Sequence, residues 1–292
     1  MFHIGGISNL FSLGGYQELV TLPQYGPPYG GCVSVADTEL SYAVLVSEAK
    51  TLTIVTVNGS MVHSSAITLQ VNHDYHDLVI TGLAVLSAQG PLLALSSYTV
   101  SGLMEQFYAQ LDPTTGVMQF ITAIPNGYFP SPGTNLLYDT SARTVYTWAV
   151  VNGNDEDPIM LSYSLDTQSF FSWAIPEFVF TSSADLSNKI IYAITSAPGD
   201  QYQLMSLSIP SNTPDKENVT ATVIGALDAL NSYIAPDASF YDPTLKVLYT
   251  IPAASEGVNE SPLFAFSVID GSVALNMTSM FSGLLSISGL SN

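Results

Sequence analysis

The sequence predicts an all-β chain built from one four-stranded unit repeated along its length, and three observations carry that prediction. Short runs alternate β-branched and aromatic residues with polar ones at period two. An apolar strand ending in a tight turn recurs at intervals near fifty residues. An acid followed after a few turn residues by a tyrosine-bearing strand recurs in step with it.

The most complete unit runs from Asn135 to Pro176. Its first strand, A, is the apolar run Asn135–Tyr138, closed by the turn Asp139-Thr140-Ser141-Ala142-Arg143. Strand B, Thr144–Val151, alternates β-branched and aromatic residues, which suits a pleated and covered surface. The polar stretch Asn152–Pro158 reads as a loop. In strand C, Ile159, Leu161, Tyr163 and Leu165 share one face at period two. Asp166–Ser169 turns the chain into strand D, Phe170–Ile175, which Pro176 ends because it has no ladder donor.

The C-strand ending repeats as Phe11-Ser12-Leu13-Gly14-Gly15, Val55-Thr56-Val57-Asn58-Gly59, Ala109-Gln110-Leu111-Asp112-Pro113, Tyr163-Ser164-Leu165-Asp166-Thr167, Leu207-Ser208-Ile209-Pro210 and Ser267-Val268-Ile269-Asp270-Gly271. The second marker places Asp37 before Tyr42, Asp139 before Tyr146, Asp185 before Tyr192 and Asp242 before Tyr249. In the second unit Leu86-Ser87-Ala88-Gln89-Gly90 replaces the acid. Five units follow at about 28–70, 77–124, 133–176, 178–224 and 235–276. Residues 1–22 carry candidate B, C and D strands without an A strand, and Leu284-Leu285-Ser286-Ile287 is an A-like strand with nothing after it. The last strand is therefore expected to pair with the first three and complete a sixth unit.

Bulky apolar groups stand on both sides of the middle strands, Tyr146 and Trp148 against Val145 and Ala149, so each sheet needs a cover on both faces. On these residues the chain resembles a β-propeller: six blades of four strands, the ring closed by the C-terminal strand on the N-terminal three. Seven blades stay open as the alternative, with Gly225–Asp237 the place for an irregular extra strand. The whole of 1–292 is expected to form one domain, since the Pro/Gly-rich stretches 24–31 and 126–133 fit inter-blade loops better than linkers. Trp-Asp blade endings, kelch double glycines and Asp-box runs are all missing, so the resemblance implies architecture and no particular activity.

Charge narrows the partners. Five cations, Lys50, Arg143, Lys189, Lys216 and Lys246, face 24 acids for a net charge of −19. Nucleic acid and anionic membranes are poor partners, because both need Lys/Arg to replace counterions. No run of 18 apolar residues suggests a membrane span, and the first residues lack a signal-peptide pattern. Cys32 begins an apolar strand and reads as a buried thiol with no intramolecular partner. An extracellular or acidic vacuolar setting suits the cation deficit, with the cytoplasm as the alternative.

Loops joining D to A and B to C meet on one face of a propeller and hold most of the tyrosines, histidines and acids outside strands. Tyr25, Tyr29, Tyr75, Tyr128 and Tyr233 are candidates to stack on sugar rings or a peptide. His73, Asp74, His76 and Asp77 offer imidazoles and carboxylates suited to a transition metal or to acid–base work. Asn154, Asp155 and Asp157 give an oxygen-rich stretch beside a glycine, as calcium requires, without the ordered EF-hand pattern. Asn58, Asn218, Asn259 and Asn276 lie in Asn-x-Ser/Thr sequons and are candidate glycosylation sites. Nucleophile-elbow, zincin, P-loop and dinucleotide motifs are missing.

Two function classes remain. One is a non-enzymatic binding or scaffold propeller taking a glycan or protein on its loop-rich face. The other is a calcium- or metal-dependent hydrolase resembling the gluconolactonase and paraoxonase group, for which Asn135, Asn231 and Asp237 match by position alone.

Overall fold

The computed structural model describes residues 2–6, 9–12, 17–21, 40–46, 51–58, 61–71, 76–86, 91–100, 103–131, 136–199, 201–210, 219–231, 234–253, 261–281 and 284–289. Strands dominate, and among the described residues one 3-10 turn, Asp228–Leu230, is the whole helical content. Two compact units divide the chain, residues 1–126 with 288–292 and residues 127–287.

The first unit opens with β1 (Phe2–Gly6), β2 (Asn9–Ser12) and β3 (Gln17–Thr21), followed by a three-stranded meander of β4 (Leu40–Val46), β5 (Thr51–Asn58) and β6 (Met61–Thr68). The A strand expected before β4 lies outside the described residues. Next come β7 (Gln70–Val71), β8 (His76–Val85), β9 (Leu92–Val100), β10 (Leu103–Leu111) and β11 (Val117–Ala123). Their sheet order is β7-β11-β10-β9-β8, with β7 parallel to β11. Leu78, Ile80, Leu92, Ala94, Phe107, Leu111 and Met118 form its core. Burying each large side chain is worth about 1.5–3 kcal/mol, which is what holds strands this short together.

In the second unit β12 (Tyr128–Pro130) and β13 (Leu137–Asp139) both pair with β14 (Thr144–Val151), followed by β15 (Asn154–Ser164) and β16 (Ser169–Ala174). The A strand of this sheet is thus in two pieces. Then come β17 (Val179–Asp185), β18 (Ile190–Ala197), β19 (Gln201–Ser208) and β20 (Ala221–Ala226), and after them β21 (Ile234–Asp242), β22 (Val247–Ala253), β23 (Ser261–Ser267) and β24 (Val273–Phe281), two four-stranded antiparallel meanders. The last strand, β25 (Leu284–Gly289), stands first in the N-terminal sheet, whose order is β25-β1-β2-β3. This is the split sheet that the two chain ends predicted.

Each meander of the second unit packs on the next. Tyr146, Trp148 and Met160 meet Ile191, Ala193 and Leu207, while Tyr192, Ile194 and Leu204 meet Tyr241, Leu248 and Phe264. Polar cross-links sit inside these apolar layers: Trp148 Nε1 donates to Ser182 Oγ at 2.7 Å, Thr181 Oγ1 to Ser239 Oγ at 3.1 Å, and Tyr241 N to Ser183 Oγ at 3.0 Å. A buried hydroxyl or indole that keeps a partner avoids a desolvation cost of about 1–3 kcal/mol.

The A-to-B turn is built the same way three times. Asp139, Asp185 and Asp242 accept turn N–H groups on Oδ1, from Ala142 at 3.0 Å, Asn188 at 3.2 Å and Leu245 at 3.1 Å. Four residues on, Arg143, Lys189 and Lys246 take φ of 47°, 55° and 54°, so three of the chain's five cations occupy one recurrent left-handed position. Their carbonyls accept the N–H of Leu165, Ile209 and Val268, which ties each A-to-B turn to the C-to-D turn of the same sheet.

Two expectations are corrected in detail. The polar stretch 152–158 is no open loop: Asn152 and Gly153, at φ 55° and 70°, make a two-residue hairpin turn, and β15 starts at Asn154. Positive φ at both central positions matches strand twist, so the hairpin closes tighter than polarity alone suggested. Gly225–Asp237 contains the end of β20, the 3-10 turn and the start of β21, with no separate strand among its described residues.

A candidate ligand site on the loop-rich end of the second unit

Every B-to-C and D-to-A connection of these meanders lies at one end of its sheet, opposite the Asp-capped turns. At this end of the β17–β20 sheet three aromatic rings come together. Phe178 meets Phe180 with centroids 5.3 Å apart and planes at 74°, and Phe180 meets Tyr202 at 5.2 Å and 76°. All three are half-buried. Edge-to-face contacts cover one ring face each where stacking covers two, so the trio keeps π surface available.

The backbone explains why they converge. Val179 pairs with Thr195 and Thr181 with Ile194, so Phe180 is the extra residue of a β-bulge at the start of strand A. A bulge re-aims one side chain and is a device found beside functional sites. Phe178 is fixed by its carbonyl, which accepts the N–H of Ser196 at 3.1 Å. Tyr202 is fixed twice: its N–H donates to Asn231 Oδ1 at 3.3 Å and its carbonyl accepts from Leu227 N at 2.8 Å. Partial burial raises its phenol pKa above the ordinary tyrosine value. Polar groups lie on the strands and turns that carry the aromatics. Ser196 Oγ donates to Glu177 Oε2 at 3.3 Å, Gln203 Nε2 donates to the Ser196 carbonyl at 2.8 Å, and Asp228 is exposed on the 3-10 turn.

Of the residues singled out by sequence, Tyr128 stands at the same end of the neighbouring sheet, its hydroxyl sharing a hydrogen bond with Ser172 Oγ at 3.3 Å. Tyr25, Tyr29, Tyr75 and Tyr233 lie outside the described residues, as do His73, Asp74, Asn135, Asn218 and Asn259. His76 and Asp77 open β8, and Asp237 lies in β21. Asn154 Nδ2 donates to Asp157 Oδ2 at 2.8 Å, and Asp155 lies between them in β15, where Val151 pairs with Asn154 and Val150 with Pro158. Asn58 ends β5, and Asn276 is exposed in the outer strand β24. Among the described residues no three His, Cys, Asp or Glu side chains come together as a metal set would require. Asn231 is engaged with the Tyr202 backbone.

Sequence reasoning missed Phe178, Phe180 and Tyr202. The signal present was Phe178-Val179-Phe180, two aromatics at period two following Pro176-Glu177. Only the bulge distinguishes it.

Comparison with solved structures decides the fold. The chain is similar to the periplasmic gluconolactonase of Pseudomonas aeruginosa, with TM-score 0.55 and 8% identity, covering 98% of this chain and 98% of that one. It is also similar to a candidate 6-phosphogluconolactonase of Bacteroides fragilis, with TM-score 0.54 and 13% identity over 98% and 96% of the two chains. A quinonprotein alcohol dehydrogenase-like protein of Bacteroides thetaiotaomicron gives TM-score 0.56 and 12% identity over 98% and 77%. The fold is a β-propeller. No family model matches the chain, and no curated protein matches it. At identities this low the likeness to these propellers is one of architecture.

Proposed function

We propose that the chain is a non-enzymatic binding propeller, one ring of six blades over residues 1–292, that takes a glycan or protein ligand on its D-to-A and B-to-C end. An extracellular or acidic compartment suits its charge. The observation that carries the reading is the half-buried trio Phe178, Phe180 and Tyr202, aimed by a bulge and edged by Glu177, Ser196 and Asn231. Aromatic faces with convergent polar groups at the rim are what sugar rings and peptide side chains dock against. Screening the purified protein on a panel of oligosaccharides and peptides tests it. Binding lost in Tyr202→Ala, with an unchanged melting temperature, is the expected result; a ligand whose affinity ignores that substitution removes the site.

A second reading is a metal-dependent lactonase, favoured by the architectural likeness to the Pseudomonas gluconolactonase. Its test is hydrolysis of gluconolactone and 6-phosphogluconolactone with calcium, a divalent transition metal or chelator present. Turnover that follows the metal would replace the binding reading.

A further inference from the structure

We infer that the aromatic site at Phe178, Phe180 and Tyr202 takes an organic cation, an alkylammonium group, in preference to a neutral ring; this rests on the proposal that the site binds a ligand. The first ground is the rings. Two of them stand at 74° and 76° to the central Phe180, at centroid distances of 5.3 and 5.2 Å, and all are partly open to solvent. A cation is drawn to the negative face of a ring within about 6 Å of its centroid.

The second ground is where the charges lie. Residues 127–287 contain four cations, Arg143, Lys189, Lys216 and Lys246. Arg143, Lys189 and Lys246 hold the left-handed position of the A-to-B turns. Lys216 falls in the connection from β19 to β20, a C-to-D connection. No Lys or Arg of this unit therefore occurs in a connection at the aromatic end. Carboxylates do: Glu177 directly precedes Phe178, and Asp228 opens the 3-10 turn whose end, Asn231, holds the Tyr202 backbone. A cationic guest is drawn to ring faces and carboxylates, and among the described residues no Lys or Arg stands at that end to repel it or to attract an anion instead. A neutral sugar would use the rings and leave the charge pattern without effect.

Ligand-observed NMR with tetramethylammonium chloride tests this, against sodium chloride at equal ionic strength and against 2-methylpropan-2-ol as the neutral isostere. Saturable binding of the ion alone is expected, weakened roughly three- to fivefold by Tyr202→Ala and by Glu177→Gln. Tyr202→Phe keeps the ring and should keep the affinity, which separates a ring effect from a folding defect. Equal binding of the isostere overturns the cation preference. Oligosaccharides that bind through Tyr202 while the ammonium ion does not would also overturn it and leave the site standing. Binding by neither class removes both.

Discussion

Lys189 donates its ammonium to Asp139 Oδ2 across two neighbouring sheets, and the side chain of Asp139 is 3% exposed while that of Lys189 is 46% exposed. The pairing has a local cause. At the equivalent turn Asp185 fills its second oxygen with Asn188 Nδ2 at 2.8 Å, three residues on. At Asp139 that position is Ala142, which has no donor in its side chain, and Lys189 of the next sheet supplies the missing bond.

Removing either partner should therefore cost different amounts. Lys189→Met is expected to lose about 0.5–1 kcal/mol, since its exposed half is already screened by solvent. Asp139→Ala should lose about 2–3 kcal/mol, because it also frees the turn N–H groups of Ser141 and Ala142, held at 2.9 and 3.0 Å. Adding Ala142→Asn to Lys189→Met should restore part of the loss by copying Asn188. Urea titrations measure all three, and equal losses for the two single variants would contradict this division of roles.

Glycine positions separate strain from crowding. Gly271, at φ 74°, lies against the Gly225 backbone, where an added Cβ would come within 2.9 Å of the Gly225 Cα. Gly153, at φ 70°, has nothing within 4 Å of that position. Gly153→Ala should cost about 1–2 kcal/mol, the penalty of a left-handed residue alone. Gly271→Ala should cost at least about 1 kcal/mol more, as overpacking adds to it. Thermal melts of the two variants side by side give the answer.

How much of this could be read from sequence depends on which forces act locally. The Asp-to-Tyr interval is seven residues at Asp139–Tyr146, Asp185–Tyr192 and Asp242–Tyr249, because one turn geometry recurs, and turn chemistry is written in adjacent residues. Terminal strand pairing was legible because residues 1–22 offered B, C and D strands without an A strand and Leu284–Ile287 had the pattern of an A strand. The left-handed Arg143, Lys189 and Lys246 were not, since glycine or asparagine is the usual sign of positive φ. Nor was the aromatic trio: the bulge at Phe180 is set by pairing between Val179, Thr181 and their partners on β18, a tertiary choice that strand alternation does not encode.

Deleting residues 283–292 removes β25 and leaves β1 as an open edge of the N-terminal sheet. Loss of cooperative melting or aggregation is expected. A shortened protein that melts within a few degrees of the intact one would show that β25 contributes little to that sheet.

Stability against pH follows from two opposed effects, and the structure fixes where each acts. Repulsion among 24 carboxylates, offset by five Lys/Arg, weakens the fold near neutrality and fades as they protonate. Against it stand turn acids whose folded pKa is depressed. Hydrogen bonds from Thr115 and Thr114 lower Asp112, and those from Ser272 lower Asp270. For Asp139 burial pushes upward, and hydrogen bonds from Lys189, Ser141 and the Ala142 N–H outweigh it; for Asp185 burial is likewise outweighed by Ser187 and Asn188. A depressed carboxylate contributes stability that is full above its unfolded value, about 3.9 for Asp, and is lost as pH falls through the lower folded value. These four therefore cost nothing between pH 8 and 5, where the relief of repulsion is already under way. Melting temperature should hold or rise from pH 8 to about 5 and decline only below about 4. The acid form carries at most about ten positive charges, from five Lys/Arg, four His and the amino terminus, so the decline should be gradual. Scanning calorimetry from pH 3 to 8 decides it: a melting temperature that drops steadily from pH 6 downward would mean that acids other than these four hold the fold, and would remove the charge argument for an acidic compartment.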